Sequence, residues 1–294
     1  MCTAISFTTQ DHYFGRNLDL EYSYEEAVVI TPRNFPFRFP TRYGLIGMAY
    51  VPHDYPLYYD ATNEAGLSMA GLRFPNEAVY HNYEEGKHNI APFEFIPWVL
   101  GQCSTVKEAA SLLRNCNLLK QAYSDELPLT PLHWIISDHT ASITIESVED
   151  GLLIYPNTVG VLTNNPAFDF QMAHLNSYQE AHKIPGDWSS QSRFIRASFV
   201  KKHAVCDFSE TASVNQFFHI LDSVSIPRGS VHTEKHSCKI TQYSSCCNTN
   251  RGIYYYKTYN NSQLTAVHLH HVDLEDDKLT LFPLVKEGQI LWQN

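Results

Sequence analysis

The first twenty residues place the tightest constraint on this chain. Residues 3–8 (Thr-Ala-Ile-Ser-Phe-Thr) alternate in the strand period, Thr9–His12 are polar, and Tyr13–Leu20 read as a returning strand. With Gln10-Asp11 as a two-residue turn, Thr9 faces His12 and Cys2 lies opposite Asp19 on one face. Arg16, three residues from Asp19, then points the other way unless the strand bulges or ends between them. Gly15 is the expected place for that irregularity. The hairpin matters chemically because removal of Met1 would make Cys2 the N-terminal residue. Its α-amine (ordinary pKa about 7.7–8.0) and thiol (about 8.5) can then both exchange protons near neutrality. A terminal nucleophile can use its own amine as the base.

Two further features bear on Cys2. Gly15-Arg16-Asn17-Leu18-Asp19 sets opposite charges inside an otherwise apolar strand, where burial is costly unless the charges are paired or used. An arginine beside a thiol lowers its pKa, and a carboxylate can orient an amine; a strand-end ion pair is the ordinary alternative. Val161-Leu162-Thr163-Asn164-Asn165-Pro166 ends a strand in two amides, as a plain turn or as an amide donor aimed at an oxyanion. His268 and His270 would share a strand face, but no carboxylate or cysteine stands at ligand spacing, so no metal is expected. Cys246-Cys247 is read as a pair of buried or inert thiols. The chain has no Gly-x-Ser-x-Gly, phosphate loop or dinucleotide fingerprint, and no cofactor is expected.

Further strands are expected at Ala27–Thr31, Tyr43–Val51, Leu57–Ala61, Leu67–Arg73, Leu132–Ser137, Ser142–Ser147, Leu152–Tyr155, Val159–Thr163, Lys239–Tyr243, Ile253–Tyr259, Leu264–His271 and Leu279–Leu284. Helices are expected at Phe93–Gln102, after the capping box Thr105–Glu108, and at Phe168–Glu180, Arg193–His203 and Val214–Ser223. This order predicts one α+β domain over residues 2–294, with mainly antiparallel sheet between helical layers. A net charge of −10 argues against nucleic acid or an anionic membrane as partner. No apolar run is long enough to span a bilayer and no signal peptide is apparent, so membrane insertion is not expected and the cytoplasm is the expected location. Seven cysteines without C-x-x-C spacing read as free thiols.

In combination the chain resembles the choloylglycine hydrolase family, the bile salt hydrolases and penicillin V acylases of the N-terminal-nucleophile superfamily. The resemblance runs through Met1-Cys2-Thr3, Phe14-Gly15-Arg16-Asn17-Leu18-Asp19, Pro32-Arg33-Asn34-Phe35, Asn63-Glu64-Ala65-Gly66-Leu67, Leu132-His133-Trp134, Gly160-Val161-Leu162-Thr163-Asn164, Pro185-Gly186-Asp187, Ser192-Arg193-Phe194 and Ile253-Tyr254-Tyr255-Tyr256. It implies a four-layer αββα sandwich. It also implies hydrolysis of a small-molecule amide, in the bile salt branch a bile acid joined to glycine or taurine. By resemblance Cys2 is the nucleophile, Asp19 holds its amine, Arg16 and Arg193 supply positive charge, and Asn164 is an oxyanion donor. Leu18, Tyr59, Tyr123 and Leu127 align with positions that surround the acyl group in relatives, though as residue types they fit a core equally well.

Two departures from the family pattern stand out. Gly71-Leu72-Arg73-Phe74-Pro75 replaces a frequent Gly-Leu-Asn-Phe-Pro, exchanging an oxyanion-side amide for Arg73. That cation could stabilise an oxyanion, bind the carboxylate or sulfonate of a conjugate, or block the pocket. The family implies a homo-oligomer, but the segment between Asn164 and Pro185, which carries tetramer contacts in many members, is short here. Alternatives are an acylase for penicillin V or other N-acyl amides, and a non-catalytic bile-acid-binding relative.

Overall fold

The computed structural model describes residues 1–178, 184–233 and 237–294. The chain begins with β1 (Cys2–Thr8), β2 (His12–Leu20), β3 (Ala27–Thr31), β4 (Leu45–Tyr50), β5 (Leu57–Asn63) and β6 (Ser68–Arg73). Short β7 (His88–Ile90) precedes α1 (Phe95–Leu100) and α2 (Val106–Leu113). Next come β8 (Cys116–Leu118), β9 (Leu132–Ser137), β10 (Ser142–Val148), β11 (Gly151–Pro156) and β12 (Val161–Leu162). Helices α3 (Phe168–Tyr178), α4 (Ser190–Lys202) and α5 (Glu210–Asp222) follow. The described chain closes with β13 (Val231–His232), β14 (Cys238–Asn248), β15 (Ile253–Thr258), β16 (Thr265–His268) and β17 (Thr280–Pro283).

One sheet runs β12-β1-β2-β14-β15-β16 with β13 beside β14, and the other runs β11-β10-β9-β6-β5-β4-β3-β17. Every pairing described in both sheets is antiparallel; the outlying β7–β8 pair and the isolated His81–Leu119 bridge are parallel. Helices α3–α5 cover the outer face of the first sheet, where Phe194, Ile195, Phe217 and Leu221 belong to the apolar cluster that also includes the residues between the sheets. Helices α1 and α2 cover the outer face of the second, packing Phe95, Trp98, Val106 and Leu113 against Met69, Trp134 and Ile136. The result is the αββα sandwich.

Local chemistry explains several element limits. Thr105 caps α2 by accepting the Glu108 N–H at 3.2 Å, while Glu108 reaches back to the Ser104 N–H rather than to Thr105. Helices α4 and α5 begin earlier than predicted because Ser189 and Ser209 cap them, each accepting an N–H three residues on. Of the predicted helix Phe168–Glu180, Gln179 and Glu180 lie outside the described residues. Strand β14 runs on through Ser244–Asn248, which no apolar alternation announces. Ser244 and Ser245 are buried there to bond Asn17 and Asp60 at 2.8 and 3.3 Å. His270 lies in a 3₁₀ turn after β16, so His268 and His270 do not share a strand face as predicted.

The predicted hairpin register is corrected by one residue. Thr8 pairs with His12, the loop is Thr9-Gln10-Asp11, and Cys2 lies opposite Leu18. Asp11 is held as a loop residue by Asn248 Nδ2 and Arg251 Nε, both donating to it at 2.9 Å, while the His12 N–H donates to Asn250 at 2.8 Å. A slip of one residue exchanges faces. Arg16, opposite Ala4, therefore shares the thiol's face, and Asp19 takes the opposite one. The predicted irregularity is not at Gly15. The bulge is in β14, between Thr241 and Tyr243, opposite Asp19 and Leu18. Gly15 serves a different need: a Cβ there would overlap the Ser245 carbonyl of β14. Gly15→Ala is accordingly expected to destabilise the fold by about 1–3 kcal/mol or more. Urea denaturation checks this, and an unchanged midpoint would contradict the close approach.

Candidate active site

Strand β1 starts at Cys2, whose side chain turns inward between the sheets and is 1% exposed. Arg16, from β2 and on the same face, is fully buried. Its Nη1 donates to the carbonyls of Tyr59 at 2.9 Å and Gly71 at 2.6 Å. Those acceptors explain how the site opens. Strands β5 and β6 pair through Thr62–Ser68, Ala61–Met69 and Asp60–Ala70, so Tyr59 would next meet Gly71. Instead the strands part, and the Arg16 guanidinium fills the gap between their carbonyls.

A cavity of about 500 Å³ runs through that parting. It joins Cys2, Arg16 and Leu18 on the inner side to Ile96 and Trp134 on the helix-covered side. Among the described residues, Arg16 Nη2 and Trp134 Nε1 are buried donors without a partner. Both belong to residues lining the cavity.

Burial pushes the Cys2 thiol up, but the Arg16 charge and the amino terminus outweigh it and hold the thiol below its ordinary value. Burial works against the Arg16 guanidinium as well, yet Cys2, Tyr243 and Asp60 favour its charged form and its pKa is raised. The thiolate and guanidinium charges thus favour one another, and both residues line the cavity.

The helix-facing side supplies a second group. Arg193, in α4, is fully buried and donates through Nη1 to the Cys2 carbonyl and, at 2.7 Å, to Thr3 Oγ1. Its Nη2 donates to Asn164 Oδ1 at 2.8 Å, and the same oxygen accepts the Cys2 N–H at 2.9 Å. Asn164 Nδ2 donates to the Arg73 carbonyl at 2.7 Å. The Asn164 main chain is fixed by Ser190 Oγ, which accepts its N–H at 2.8 Å, and by Gln171 Nε2, which donates to its carbonyl at 2.5 Å.

Asp19 accepts from Thr241 Oγ1 at 2.7 Å, its Oδ2 lies 3.9 Å from Arg193 Nη1, and that oxygen is buried without a hydrogen bond. Burial pushes its carboxyl up, and Arg193 and the amino terminus pull it only part of the way back. Met1 continues the strand pairing: its amine donates to the Asp19 carbonyl at 2.7 Å, and its carbonyl accepts the Asp19 N–H at 3.0 Å. A depressed-pKa thiol, a terminal nitrogen, a carboxylate and two arginines are the parts of a nucleophilic site.

The model of the linear amide C–N hydrolases of the choloylglycine hydrolase family matches residues 2–282. The chain belongs to this family. It is 44% identical to a bile salt hydrolase/transferase of Lactiplantibacillus plantarum, over 98% of both chains. With one from Clostridium perfringens it shares 36% identity over 96% of both. A crystal structure of a mutant conjugated bile acid hydrolase from Clostridium perfringens superposes with a TM-score of 0.93 at 35% identity, covering both chains fully. Penicillin V acylase from Agrobacterium tumefaciens, 20% identical, shares the fold with a TM-score of 0.81 over 95% of this chain and 90% of its own.

Leu18, Tyr59, Tyr123 and Leu127, expected by resemblance to surround an acyl group, all line the cavity. Leu18 faces Cys2 across the β1–β2 pair, and Tyr59 stands where β5 parts from β6. Tyr123 is held by its hydroxyl donating to the Pro52 carbonyl at 3.0 Å and by an edge contact with Phe93. Arg73 lines the same cavity with an exposed side chain.

Sequence reasoning passed over Asp60. It is buried beneath Arg16, accepts the hydroxyls of Tyr243 and Tyr254 at 2.8 and 2.7 Å, and adds negative charge that favours the guanidinium. A carboxylate in the apolar run Leu57-Tyr58-Tyr59-Asp60-Ala61 carries the same signal that singled out Asp19. Also passed over was the buried His133–Glu146 pair. His133 Nδ1 lies 3.1 Å from Glu146, and its Nε2 bonds the Thr163 carbonyl at 2.9 Å, which fixes the residue before Asn164.

Proposed function

We propose that the chain hydrolyses the amide of bile acids conjugated with glycine or taurine. The observation that carries this reading is that Cys2, with Arg16 beside it in the lining, opens onto a mainly apolar cavity large enough for a bulky acyl group. Full-length similarity to proteins named for bile salt hydrolysis supports it.

In the proposed reaction Met1 is absent and Cys2 bears the free amine. The thiolate attacks the acyl carbonyl, forming a C–S bond. The C–N bond then breaks, and the departing nitrogen takes a proton from the Cys2 amine. Water, deprotonated by that amine, cleaves the thioester to release the bile acid and restore the thiolate beside the protonated amine. Arg16 keeps the sulfur ionised, while Asp19, with its unbonded buried oxygen, holds the amine. Arg193 fixes the Cys2 carbonyl. Asn164 anchors the Cys2 nitrogen through Oδ1, and its Nδ2, bound to the Arg73 carbonyl at rest, is the donor offered to the oxyanion. Leu18, Tyr59, Tyr123 and Leu127 hold the acyl body.

The proposed working form is a single domain, residues 2–294, assembled as a homo-oligomer in the cytoplasm. Exposed Val205, Phe208, Leu291 and Trp292 support association, and seven free thiols suit a reducing compartment. No helix among the described residues is long and apolar enough to cross a membrane.

Incubation of the purified protein with glycocholate, taurocholate and penicillin V tests the substrate. Release of glycine or taurine is the expected result. Turnover of penicillin V alone would overturn the reading.

A further inference from the structure

We infer that Arg73 selects substrates by reading the anionic end of the amine leaving group. This rests on the substrate class proposed above. The charged residues lining the cavity are Arg16, Arg73 and Glu126. Arg16 is enclosed beneath the thiol and bound to two strand carbonyls. Glu126 belongs to the stretch of the lining that includes Tyr123, Leu127 and Leu129. Arg73 alone of the three is a cation with its side chain exposed. Among the described residues its guanidinium makes no hydrogen bond or ion pair, in a chain whose net charge is −10. A lone cation at the mouth of a cavity, in an otherwise acidic protein, draws anions to that point.

The main chain fixes where this cation stands. Arg73 ends β6, and alternate carbonyls of one strand point the same way. The Gly71 carbonyl is bound by Arg16, and the Arg73 carbonyl by Asn164 Nδ2. Two anchors beside the nucleophile thus hold the strand end, while the guanidinium stays free to meet a ligand. The remaining lining is mostly aromatic and aliphatic and would take the acyl body. A bound conjugate then has its scissile carbonyl at Cys2 and its steroid along that apolar lining. Its carboxylate or sulfonate, a few bonds beyond the nitrogen, falls toward Arg73. A guanidinium suits either group because its N–H fork can bind two oxygens at once.

The test compares glycocholate and taurocholate with cholyl-glycinamide, in which the carboxylate becomes a neutral amide of the same shape. The ratio of kcat/KM for the anionic over the neutral substrate is measured for the wild type, Arg73→Gln and Arg73→Lys. In Arg73→Gln this ratio is expected to fall about tenfold, mainly through KM, and Arg73→Lys should restore part of it. An unchanged ratio overturns the assignment in either of two forms. A shared loss of kcat on all three substrates would make Arg73 an oxyanion stabiliser, and a shared gain would make it an obstruction. If the wild type turns over none of the three, the substrate reading itself has failed.

Discussion

Cys2→Ala is expected to lower turnover by on the order of a million-fold, the scale of losing the nucleophile of a covalent catalyst. The fold should survive, because deleting one sulfur from a packed strand costs about 1 kcal/mol. Intact-mass measurement with iodoacetamide makes the result specific. Cys103, Cys116, Cys246 and Cys247 are buried with thiols pushed up by burial, to about 11 for Cys103 and about 12 for Cys116 and Cys247. Cys206 and Cys238 are half-buried and can label in either form. The expected difference is therefore one rapid adduct, present in the wild type and absent from Cys2→Ala, on a protein whose mass lacks Met1. Full turnover by a protein that keeps Met1 would contradict a role for the Cys2 amine. Full turnover by Cys2→Ala would remove the nucleophile assignment.

Arg16→Gln is expected to lower kcat/KM by about 10²–10³-fold, the range seen when a buried charge-stabilising donor is lost. The direction of the accompanying pH change follows from the sign of the charge. The guanidinium favours the thiolate and lowers the Cys2 pKa, so without it the pKa rises. The acid limb of the rate profile, and of alkylation at Cys2, should both move to higher pH. A structural effect should accompany the chemical one. With no cation between them, the Tyr59 and Gly71 carbonyls lose their shared donor and the strands can close into ordinary pairing. Amide hydrogen exchange should then slow at the Tyr59–Gly71 step. An unmoved pH profile would show that Arg16 does not control the thiol.

Much of the fold was legible in the sequence because the strands are short apolar or alternating runs bounded by turn residues. Ala27–Thr31 and Leu132–Ser137 occur at the predicted residues. The hairpin register was not legible, because its loop length is set by contacts of Asp11 with Asn248 and Arg251, more than two hundred residues away. That one residue decided which of Arg16 and Asp19 shares the thiol's face. Arg16 and Asp19 stood out as charges in an apolar strand, and Asp60 emits the same signal. The parting of β5 from β6 has no local signature. Tyr59 and Gly71 read as ordinary strand residues until Arg16, from another sheet, takes both of their carbonyls.

That parting also divides the protein's responsibilities. The reacting groups stand on the inner side of the eight-stranded sheet, locked to one another by buried bonds that leave little room for substitution. Phe93, Ile96, Tyr123 and Leu127 line the cavity, and none of their side chains is hydrogen-bonded to that network. Substitutions there can reshape the chamber for a different acyl body while the cleavage apparatus stays intact. The gap therefore lets a lineage change what it cuts without relearning how to cut.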